Sequence, residues 1–439
     1  MDVTAVAGLI LLIGIIIGIA LGVPIAVVIG VTSFLAIFVL LGNDPTTTTM
    51  NTASEVFTGI NSFTLLAIPF FILAGGLMNQ GGIAGRLVDA ARVVVGKLPG
   101  GLVHTNVVSN AMFGAVSGAA VASAAAVGSV MGPRLEKEGY SKPWSAAVNV
   151  ASAPAGMLIP PSNTFIVYSL VSSTSIAALF MAGIGPGIIW AIAVMLVVAA
   201  THKRFRTGQN TAAAITLTPA LALKTLWRAV PSLLMIVIVI GGILSGFFTA
   251  TESAAIAVVY CLVLGLIYRT LKVKDLPKIL VEAGRTTSIV MLLVGVSSAL
   301  SFVMAFARIP DLIADLILGV TSDPTLILII VMVILLAVGT FMDPTPAILI
   351  FVPIFLPMVS DLGISPIHFG TMVVYAFSVG VITPPVGNVL FVGARIAGLK
   401  IEPVIARLIP FLLAVIAGLF LVVFVPQLSL AIPGVLGML

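Results

Sequence analysis

The sequence predicts an all-α polytopic membrane protein built from two related halves. Of its 439 residues, 60 % are hydrophobic and only 8 % are charged, whereas soluble domains carry roughly 25 % charged residues. Apolar runs close to the ~20 residues that span a bilayer recur along the chain. A Pro-Pro-x-(x)-Asn segment also occurs twice, at 160–163 and at 384–388. Most of the chain must therefore face lipid or other helices, and the repeated segment relates its two halves.

The first 52 residues are predicted to form two membrane helices. Apolar runs at 4–20 and 24–42 are separated by Gly22, Val23 and Pro24. The first run lacks the basic leading region of a secretion signal and is followed at once by a second run. We therefore expect residues 1–52 to be a retained helical hairpin.

Residues 53–182 form the first predicted repeat, in which apolar segments are interrupted midway. We expect a re-entrant hairpin at 58–80 that turns near Ala67-Ile68-Pro69, followed by an amphipathic arm at 83–97. Two broken helices follow, at 103–133 with its break at 117–119, and at 146–170 with its break at Pro160. A broken helix in the bilayer core is tolerated only where protein, water or ions satisfy its backbone. The breaks therefore mark the predicted binding centre.

Residues 183–280 are predicted to be scaffold helices with cytoplasmic basic linkers, and residues 281–400 form the second repeat, which belongs with the first to the transport domain. Its expected parts are a hairpin at 284–307 that turns near Gly295-Val296-Ser297-Ser298, an arm at 308–320, and broken helices at 324–357 and 367–398. A last helix occupies 401–439.

A constant offset of 224 residues relates the two repeats. It connects Pro133 to Pro357, Gly139 to Gly363 and Pro160 to Pro384. The number of spans predicted between the repeats is odd, so the repeats lie in opposite orientations. Inverted repeats with broken helices that meet at the midplane are typical of secondary transporters.

Basic residues orient the chain, because positively charged connections stay in the cytoplasm. The connections at 202–228 and 269–285 carry most of them, and counting spans from these places Arg134, Lys137 and Lys142 inside as well. The links at 43–52, 248–252 and 359–366 lack Lys and Arg and are predicted outside, as are both termini. The same count also leaves Arg86, Arg92 and Lys97 outside, against the rule, on a segment that has one apolar face.

The breaks are rich in oxygen and poor in charge, which suits a hard cation such as Na⁺. Proline removes a helical donor, so the carbonyls before Pro160 and Pro384 are free to face an ion. Asp343 is costly inside a membrane span and is by default a functional residue, with a cation as its expected partner. The alternative is that Asp343 lies at a polar end of its span. Small residues such as Gly114 and Gly118 serve close helix packing equally well.

Several function classes lack their sequence signals. There is no His-Glu-x-x-His motif, no paired catalytic carboxylates and no phosphate-binding Gly-x-x-x-x-Gly-Lys loop, so an intramembrane enzyme and an ATP-driven pump are disfavoured. Topology explains the net charge of +5 better than nucleic-acid binding. Lone Cys261 gives no disulfide framework. A proton- or sodium-coupled anion permease or antiporter and an ion channel remain as alternatives.

Five motifs, in order, also resemble a known family. They are Gly114-Ala-Val-Ser-Gly-Ala-Ala, Met131-Gly-Pro, Ile159-Pro-Pro-Ser-Asn, Phe248-Thr-Ala-Thr-Glu-Ser-Ala and Thr383-Pro-Pro-Val-Gly-Asn. Together they resemble the large membrane subunit of tripartite ATP-independent periplasmic (TRAP) transporters, across essentially the whole chain. The resemblance implies an elevator-type transporter for Na⁺-driven uptake of organic acids, such as C4-dicarboxylates or sialic acid, across a bacterial inner membrane. It also implies two partners, a small membrane subunit of about four spans on a separate chain and a soluble periplasmic substrate-binding protein.

The resemblance further implies two sodium sites. Their expected residues are Ser117, Gly118, Ser123 and Asn163 in the first half, and Asp343, Thr345, Thr383 and Gly387 in the second. For the carboxylated substrate, the residues near the breaks and at the predicted hairpin turn are Ser162, Thr164, Ser297, Ser298, Asn388 and Arg395. For Arg395, extension of the side chain to the cytoplasmic interface is the alternative. The second break has one residue more between Pro-Pro and Asn, so the two sites need not be equivalent.

Overall fold

The computed structural model describes residues 3–206 and 219–439, and their regular structure is helical. The α-helices are α1 (Val3–Ala20), α2 (Ile25–Leu40), α3 (Pro45–Ile60), α4 (Ala67–Gln80), α5 (Ile83–Val95), α6 (Gly101–Ser117), α7 (Ala120–Lys137), α8 (Lys142–Ser152), α9 (Ala155–Leu158), α10 (Asn163–Ser172), α11 (Ile176–Thr201), α12 (Pro219–Leu244), α13 (Ala250–Ile267), α14 (Leu276–Phe306), α15 (Ile309–Leu318), α16 (Pro324–Gly339), α17 (Pro344–Asp361), α18 (Pro366–Gly380), α19 (Asn388–Ile396), α20 (Ile401–Phe424) and α21 (Gln427–Val435). Short 3₁₀ turns precede α4, at Phe63–Leu66, and α14, at Val273–Asp275.

Eight helical segments in the described ranges are long and apolar enough to cross a membrane. Helix α1 shows why they need lipid rather than water around them: Leu12 and Ile16 are more than half exposed. Such exposure of large apolar side chains along a whole helix is costly in water. The predicted all-α polytopic membrane fold is confirmed.

The long helix α11 connects the two ends of the molecule. Its 26 residues give a length of about 39 Å, enough to cross a bilayer. His202, Lys203 and Arg204 follow its carboxyl end, and we call this the basic end. The amino end of α11 follows α10, where the Tyr168 hydroxyl donates to the carbonyl oxygen of Pro366 at 2.6 Å. We call this the opposite end.

Helices α6 and α7 form a re-entrant hairpin whose two ends both lie at the basic end. A Cβ added to Gly100, just before α6, would lie 3.0 Å from the His202 ring, and Tyr140, just after α7, forms a β-bridge with Arg206. The Ser123 Oγ lies 2.8 Å from the Asn110 Oδ1. On one continuous helix these residues would be about 20 Å apart. The chain therefore reverses at Ser117-Gly118-Ala119.

Helices α16 and α17 form the corresponding hairpin from the opposite end. Helix α16 packs along α18, and the two meet at their carboxyl ends, where Gly339 contacts Gly380 and Phe377. They therefore run in the same direction, towards the centre of the molecule. Helix α18 begins shortly after α17 ends, so these two helix ends lie at the same end of the molecule. Because α16 runs parallel to α18, α16 also begins there. The tip of this second hairpin lies at 340–343.

The expected hairpins at 58–80 and 284–307 are wrong in position. Helix α14 passes through Gly295-Val296-Ser297-Ser298 without a turn, and the first segment breaks at Asn61 and Ser62, after which a helix continues through Ala67-Ile68-Pro69 to Gln80. The segments expected as broken spans, 103–133 and 324–357, contain the hairpins instead. Each repeat was predicted with its hairpin and its span exchanged. A glycine or an aspartate inside an apolar segment indicates that a helix is interrupted, but not whether the chain continues or reverses.

The corrected hairpin position also explains why the arm at 83–97 carries basic residues. Helix α4 crosses the molecule as a full helix and does not reverse as a hairpin would. Helix α5 therefore lies at the basic end, where α4 ends. There the Arg86 guanidinium stacks on the Tyr268 ring, and Asp89 forms an ion pair with Arg134 at 3.1 Å. The expectation that Arg86, Arg92 and Lys97 lie away from the other basic residues is therefore wrong, since Lys97 lies between α5 and Gly100, which is beside His202. Helices α5 and α15 occupy the two predicted arm segments.

The bounds of the elements follow the 224-residue offset. Helices α7 and α17 end at Lys137 and Asp361, and α8 and α18 begin at Lys142 and Pro366. The loops between them contain Gly139 and Gly363, both with positive φ, at +83° and +76°. Each Pro-Pro pair, 160–161 and 384–385, has a cis peptide bond. The two repeats are thus alike in structure as well as in sequence.

Candidate ion and substrate site

Both hairpin tips, and the asparagine that ends each Pro-Pro-x-(x)-Asn break, line one cavity of about 540 Å³. Of the predicted site residues, seven line it: Ser117, Gly118, Asn163, Thr164, Asp343, Thr345 and Asn388. They come from four segments that are far apart in the sequence. The convergence that the sequence suggested for the breaks is present in the structure.

The first hairpin tip contacts the first break through Gly118. This residue has a φ of +62°, and a Cβ added to it would lie 3.1 Å from the Asn163 N and from the Pro161 O. Glycine therefore permits both the left-handed turn and the close approach. Beside it, the Oδ1 of Asn163 is buried and has no hydrogen-bond partner among the described residues. An unpaired amide oxygen of this kind is suited to a cation.

The second tip contacts the second break through two hydrogen bonds. The Asn388 Nδ2 donates to the Asp343 Oδ2 at 3.0 Å. Val386 N donates to the Thr340 O at 3.2 Å. Gly387, with a φ of +44°, precedes α19 and turns the chain so that Asn388 points towards the tip. The two halves are therefore joined differently, by close backbone packing in the first and by a carboxylate–amide pair in the second.

Asp343 also begins α17 as its N-cap. Its Oδ1 accepts from the Thr345 N at 3.3 Å. The same Asp-Pro-Thr sequence begins α3 at Asp44 and α16 at Asp323, and each aspartate caps its helix. Capping alone is therefore a sufficient structural reason for an aspartate in this sequence. Of these three residues, Asp343 is the one that lines the cavity and accepts from a break residue.

Several predicted site residues do not line this cavity. Ser123 is buried, and its hydroxyl donates to Asn110 within the first hairpin. Ser162 caps α10, and the Thr383 hydroxyl donates to the Val379 O at 2.7 Å. Gly387 supports the second break from outside the lining. Arg395 is exposed in the last turn of α19.

Ser297 and Ser298 lie farther away. They line a separate cavity of about 320 Å³ between α3, α14, α10 and α17. Their placement follows from the error in the hairpin position, because they belong to the continuous helix α14.

Two helices that line the cavity were missed as contributors. Asn79 and Gln80 of α4, and Glu282 and Thr286 of α14, extend the lining towards the basic end. The available signal was the spacing of Ile68, Ile72, Gly75 and Asn79, which places these four residues on one face of α4, with the small Gly75 and the polar Asn79 towards its carboxyl end. Gly75 packs directly on the hairpin tip, since a Cβ there would lie 3.5 Å from the Ser117 Cα.

The lining has two carboxylates, Asp343 beside the hairpin tips and Glu282 towards the basic end, and its other polar groups are neutral oxygens and amides. Such a set can hold one or two monovalent cations next to a small anion, because the cation offsets both the Asp343 charge and the anion's charge. The amino ends of α7, α10, α17 and α19 all start beside the cavity, and their free N–H groups favour a negatively charged ligand.

A family model for the DctM component of the tripartite ATP-independent periplasmic transporter matches residues 12–428. The chain belongs to this family. The DctM family consists of transporter permeases and not of enzymes. The chain is 37 % identical, over 387 residues, to the C4-dicarboxylate TRAP transporter large permease protein DctM of Pseudomonas aeruginosa, covering 88 % of this chain and 90 % of the relative.

A second relative has a different named substrate. The sialic acid TRAP transporter large permease protein SiaM of Vibrio cholerae is 36 % identical to this chain over 382 residues, covering 87 % of this chain and 88 % of the relative. Among solved structures, the YdaH transporter of Alcanivorax borkumensis has a TM-score of 0.62 at 14 % identity, covering 96 % of this chain and 98 % of that one. The YdaH likeness concerns the fold alone.

Proposed function

We propose that this chain is the permease of a Na⁺-coupled secondary transporter that takes up an organic acid, either a C4-dicarboxylate or a sialic-acid-like carboxylate. The observation that supports it is the convergence of two hairpin tips and two Pro-Pro breaks on one cavity that contains Asp343 and the unpaired Oδ1 of Asn163. The two named relatives carry carboxylated substrates by their descriptions.

In this proposal Na⁺ binds at each break. The first site uses Ser117, Gly118 and Asn163, and the second uses Asp343 and Thr345, with Thr383 and Gly387 shaping the break. Bound Na⁺ supplies positive charge next to Asp343 and so allows a carboxylate to enter between the tips. Coupling requires that the substrate binds better to the Na⁺-loaded site than to the empty one.

We further propose an elevator motion, in which the hairpins and broken helices move together against α1, α2, α3 and α14. The basic end is cytoplasmic and both termini are periplasmic in this arrangement, in the inner membrane. A small membrane subunit and a periplasmic binding protein complete the transporter, as in the family.

The test is uptake by proteoliposomes that contain the chain with its small membrane subunit. Radiolabelled succinate and N-acetylneuraminate are supplied with the binding protein, under an inward Na⁺ gradient or with K⁺ in its place at constant pH. We expect saturable uptake of one acid that requires both Na⁺ and the binding protein. Equal uptake in K⁺ would reject Na⁺ coupling, and Na⁺-driven uptake without the binding protein would support the simpler permease instead.

A further inference from the structure

One face of α14 lines both the central cavity and the smaller cavity near the opposite end. Ile279, Glu282, Ala283, Thr286 and Val290 line the first. Val294, Ser297, Ser298 and Ser301 line the second. Successive positions differ by three or four residues, apart from the adjacent pairs Glu282–Ala283 and Ser297–Ser298, so they lie on one stripe of the helix. Helix α14 is therefore a continuous wall that connects the two cavities.

The outer part of this stripe includes a hydroxyl group, that of Ser297, that makes no hydrogen bond to its own helix. In the same helix, the Thr286 and Ser288 hydroxyls donate to the carbonyl oxygens of Glu282 and Gly284, at 3.0 and 2.9 Å. This is the usual way in which a membrane helix satisfies serine and threonine. Ser297 is 2 % exposed, and its Oγ has no partner among the described residues. A buried, unpaired hydroxyl costs stability unless a ligand satisfies it.

The rest of the outer cavity is suited to a small polar solute. Thr58 and Ser62 add hydroxyl groups, and Leu349, Pro353 and Leu170 form an apolar side. Helix α3 closes tightly on α14, since a Cβ on Gly59 would lie 2.6 Å from the Ser298 Cβ. Charged side chains are absent from this lining. Neutral hydroxyl donors bind a carboxylate weakly enough for it to dissociate again.

The internal repeat relates the two cavities. Leu349 of the outer cavity lies 224 residues after Ala125, which lines the central cavity. The second hairpin therefore lines the outer cavity at a position equivalent to one at which the first hairpin lines the central cavity. From the middle of the inner stretch of α14, near residue 284, to the middle of the outer stretch, near residue 298, the distance is about 20 Å along the helix axis.

We propose that Ser297, with Ser298 and Ser301, forms a second substrate station on the fixed wall α14, where the substrate carboxylate binds when the hairpins face the opposite end. This inference rests on the proposed function. The occupant is the transported carboxylate itself, which Ser297 contacts through its free hydroxyl on the way to the central cavity.

The test compares Ser297→Ala with Ser288→Ala in the reconstituted transporter. The control removes a hydroxyl from the same helix, but one that already donates to its own backbone and faces outward. The measurements are the kcat/KM of Na⁺-driven uptake of succinate or N-acetylneuraminate, whichever the wild type transports, and the Kd of that acid for the detergent-purified protein in Na⁺.

We expect Ser297→Ala to lower the kcat/KM of uptake about tenfold, as for loss of one hydrogen bond to a charged group. The Kd at the central cavity should stay within about twofold, and Ser288→Ala should match the wild type in both. Unchanged uptake in Ser297→Ala would reject the proposed substrate station and indicate that water forms the hydrogen bond of the Ser297 hydroxyl. A parallel rise in Kd would also overturn it, because a structural defect would then reach the central site. Failure of the proposed function is distinguishable, since the wild type itself would take up neither acid.

Discussion

Asn388 donates a hydrogen bond to Asp343 at 3.0 Å and so connects the second Pro-Pro break to the tip of the second hairpin. The two residues are 45 positions apart in the sequence and come from different helices. Both line the central cavity. One carboxylate oxygen of Asp343 therefore accepts from the Thr345 N at its own helix cap, and the other accepts from Asn388. Each oxygen has a further lone pair that can face the cavity. This arrangement makes Asp343 the residue whose charge can best be tested.

We expect Asp343→Asn to raise the Na⁺ concentration for half-maximal uptake at least about tenfold, because the cation loses its carboxylate partner. Asparagine still caps a helix well, so the protein should fold and insert. Asp323→Asn is the matched control, since Asp323 caps α16 in the same Asp-Pro-Thr context away from the cavity. The measurement is uptake against Na⁺ concentration. Wild-type Na⁺ dependence in Asp343→Asn would remove this residue from the ion site.

The Asp343–Asn388 pair predicts a coupling energy. Asn388→Ala leaves the carboxylate without its side-chain donor, so the double variant with Asp343→Asn should cost less than the sum of the two single changes, by about 1–2 kcal/mol. The readout is thermal stability in a mild detergent. Asn388→Ala combined with Asp323→Asn should be additive, because those residues are not in contact. Additivity in the first pair would mean that the Asp343 charge adds nothing to the hydrogen bond, since asparagine at position 343 still has an oxygen that can accept from Asn388.

The backbone of the first tip can be tested with two glycines of similar conformation. Gly118 and Gly398 have φ values of +62° and +65°, so alanine strains both backbones equally, by about 1–2 kcal/mol. At Gly118 the new methyl group also meets the Asn163 N and Pro161 O at 3.1 Å, whereas at Gly398 it meets nothing within 4 Å. We expect Gly118→Ala to abolish most uptake and Gly398→Ala to retain it. Equal loss in both variants would attribute the effect to strain alone.

The sequence was most informative about where helices are interrupted. The offset between Pro160 and Pro384 follows directly from the residues, and the structure places both breaks at one cavity. The direction of the chain at each break was not predictable in the same way. Gly118 allows a left-handed turn, but the reversal at Ser117-Gly118-Ala119 is fixed by contacts that are distant in sequence, such as those of Asn110 with Asn149 and Ser152.

The site residues show the same limit. Asp343, Asn163 and Asn388 were predictable because polar groups inside apolar segments are unusual. Ser123 met that criterion too, yet its hydroxyl is used by Asn110 and not by the cavity. Sequence alone gives the presence of a polar group in the membrane, but not its partner, because that partner is set by the packing of the hairpin.

Ser123 is therefore predicted to position the hairpin and not to bind Na⁺. It belongs to a buried network in which the Asn110 Nδ2 donates to the Asn149 Oδ1 and the Ser152 Oγ, at 3.0 and 2.8 Å. The equivalent positions of the second repeat are apolar, namely Ile334, Ala347, Val373 and Ala376. The polar network thus pins the first hairpin to α8 in one half of the protein, without a counterpart at these positions in the other.

Ser123→Ala should lower the free energy of unfolding by about 1–2 kcal/mol, because it leaves Asn110 oxygens buried with fewer partners. The Na⁺ concentration for half-maximal uptake should change less than about twofold, since the hydroxyl does not reach the cavity. Ser129→Ala is the control on the same helix, as that hydroxyl donates locally to the Ala126 O at 2.9 Å and is exposed. Thermal melting and uptake against Na⁺ concentration provide the two readouts. A large shift in Na⁺ dependence at unchanged stability would instead return Ser123 to the ion site, and would require the first hairpin to rearrange so that its hydroxyl leaves Asn110.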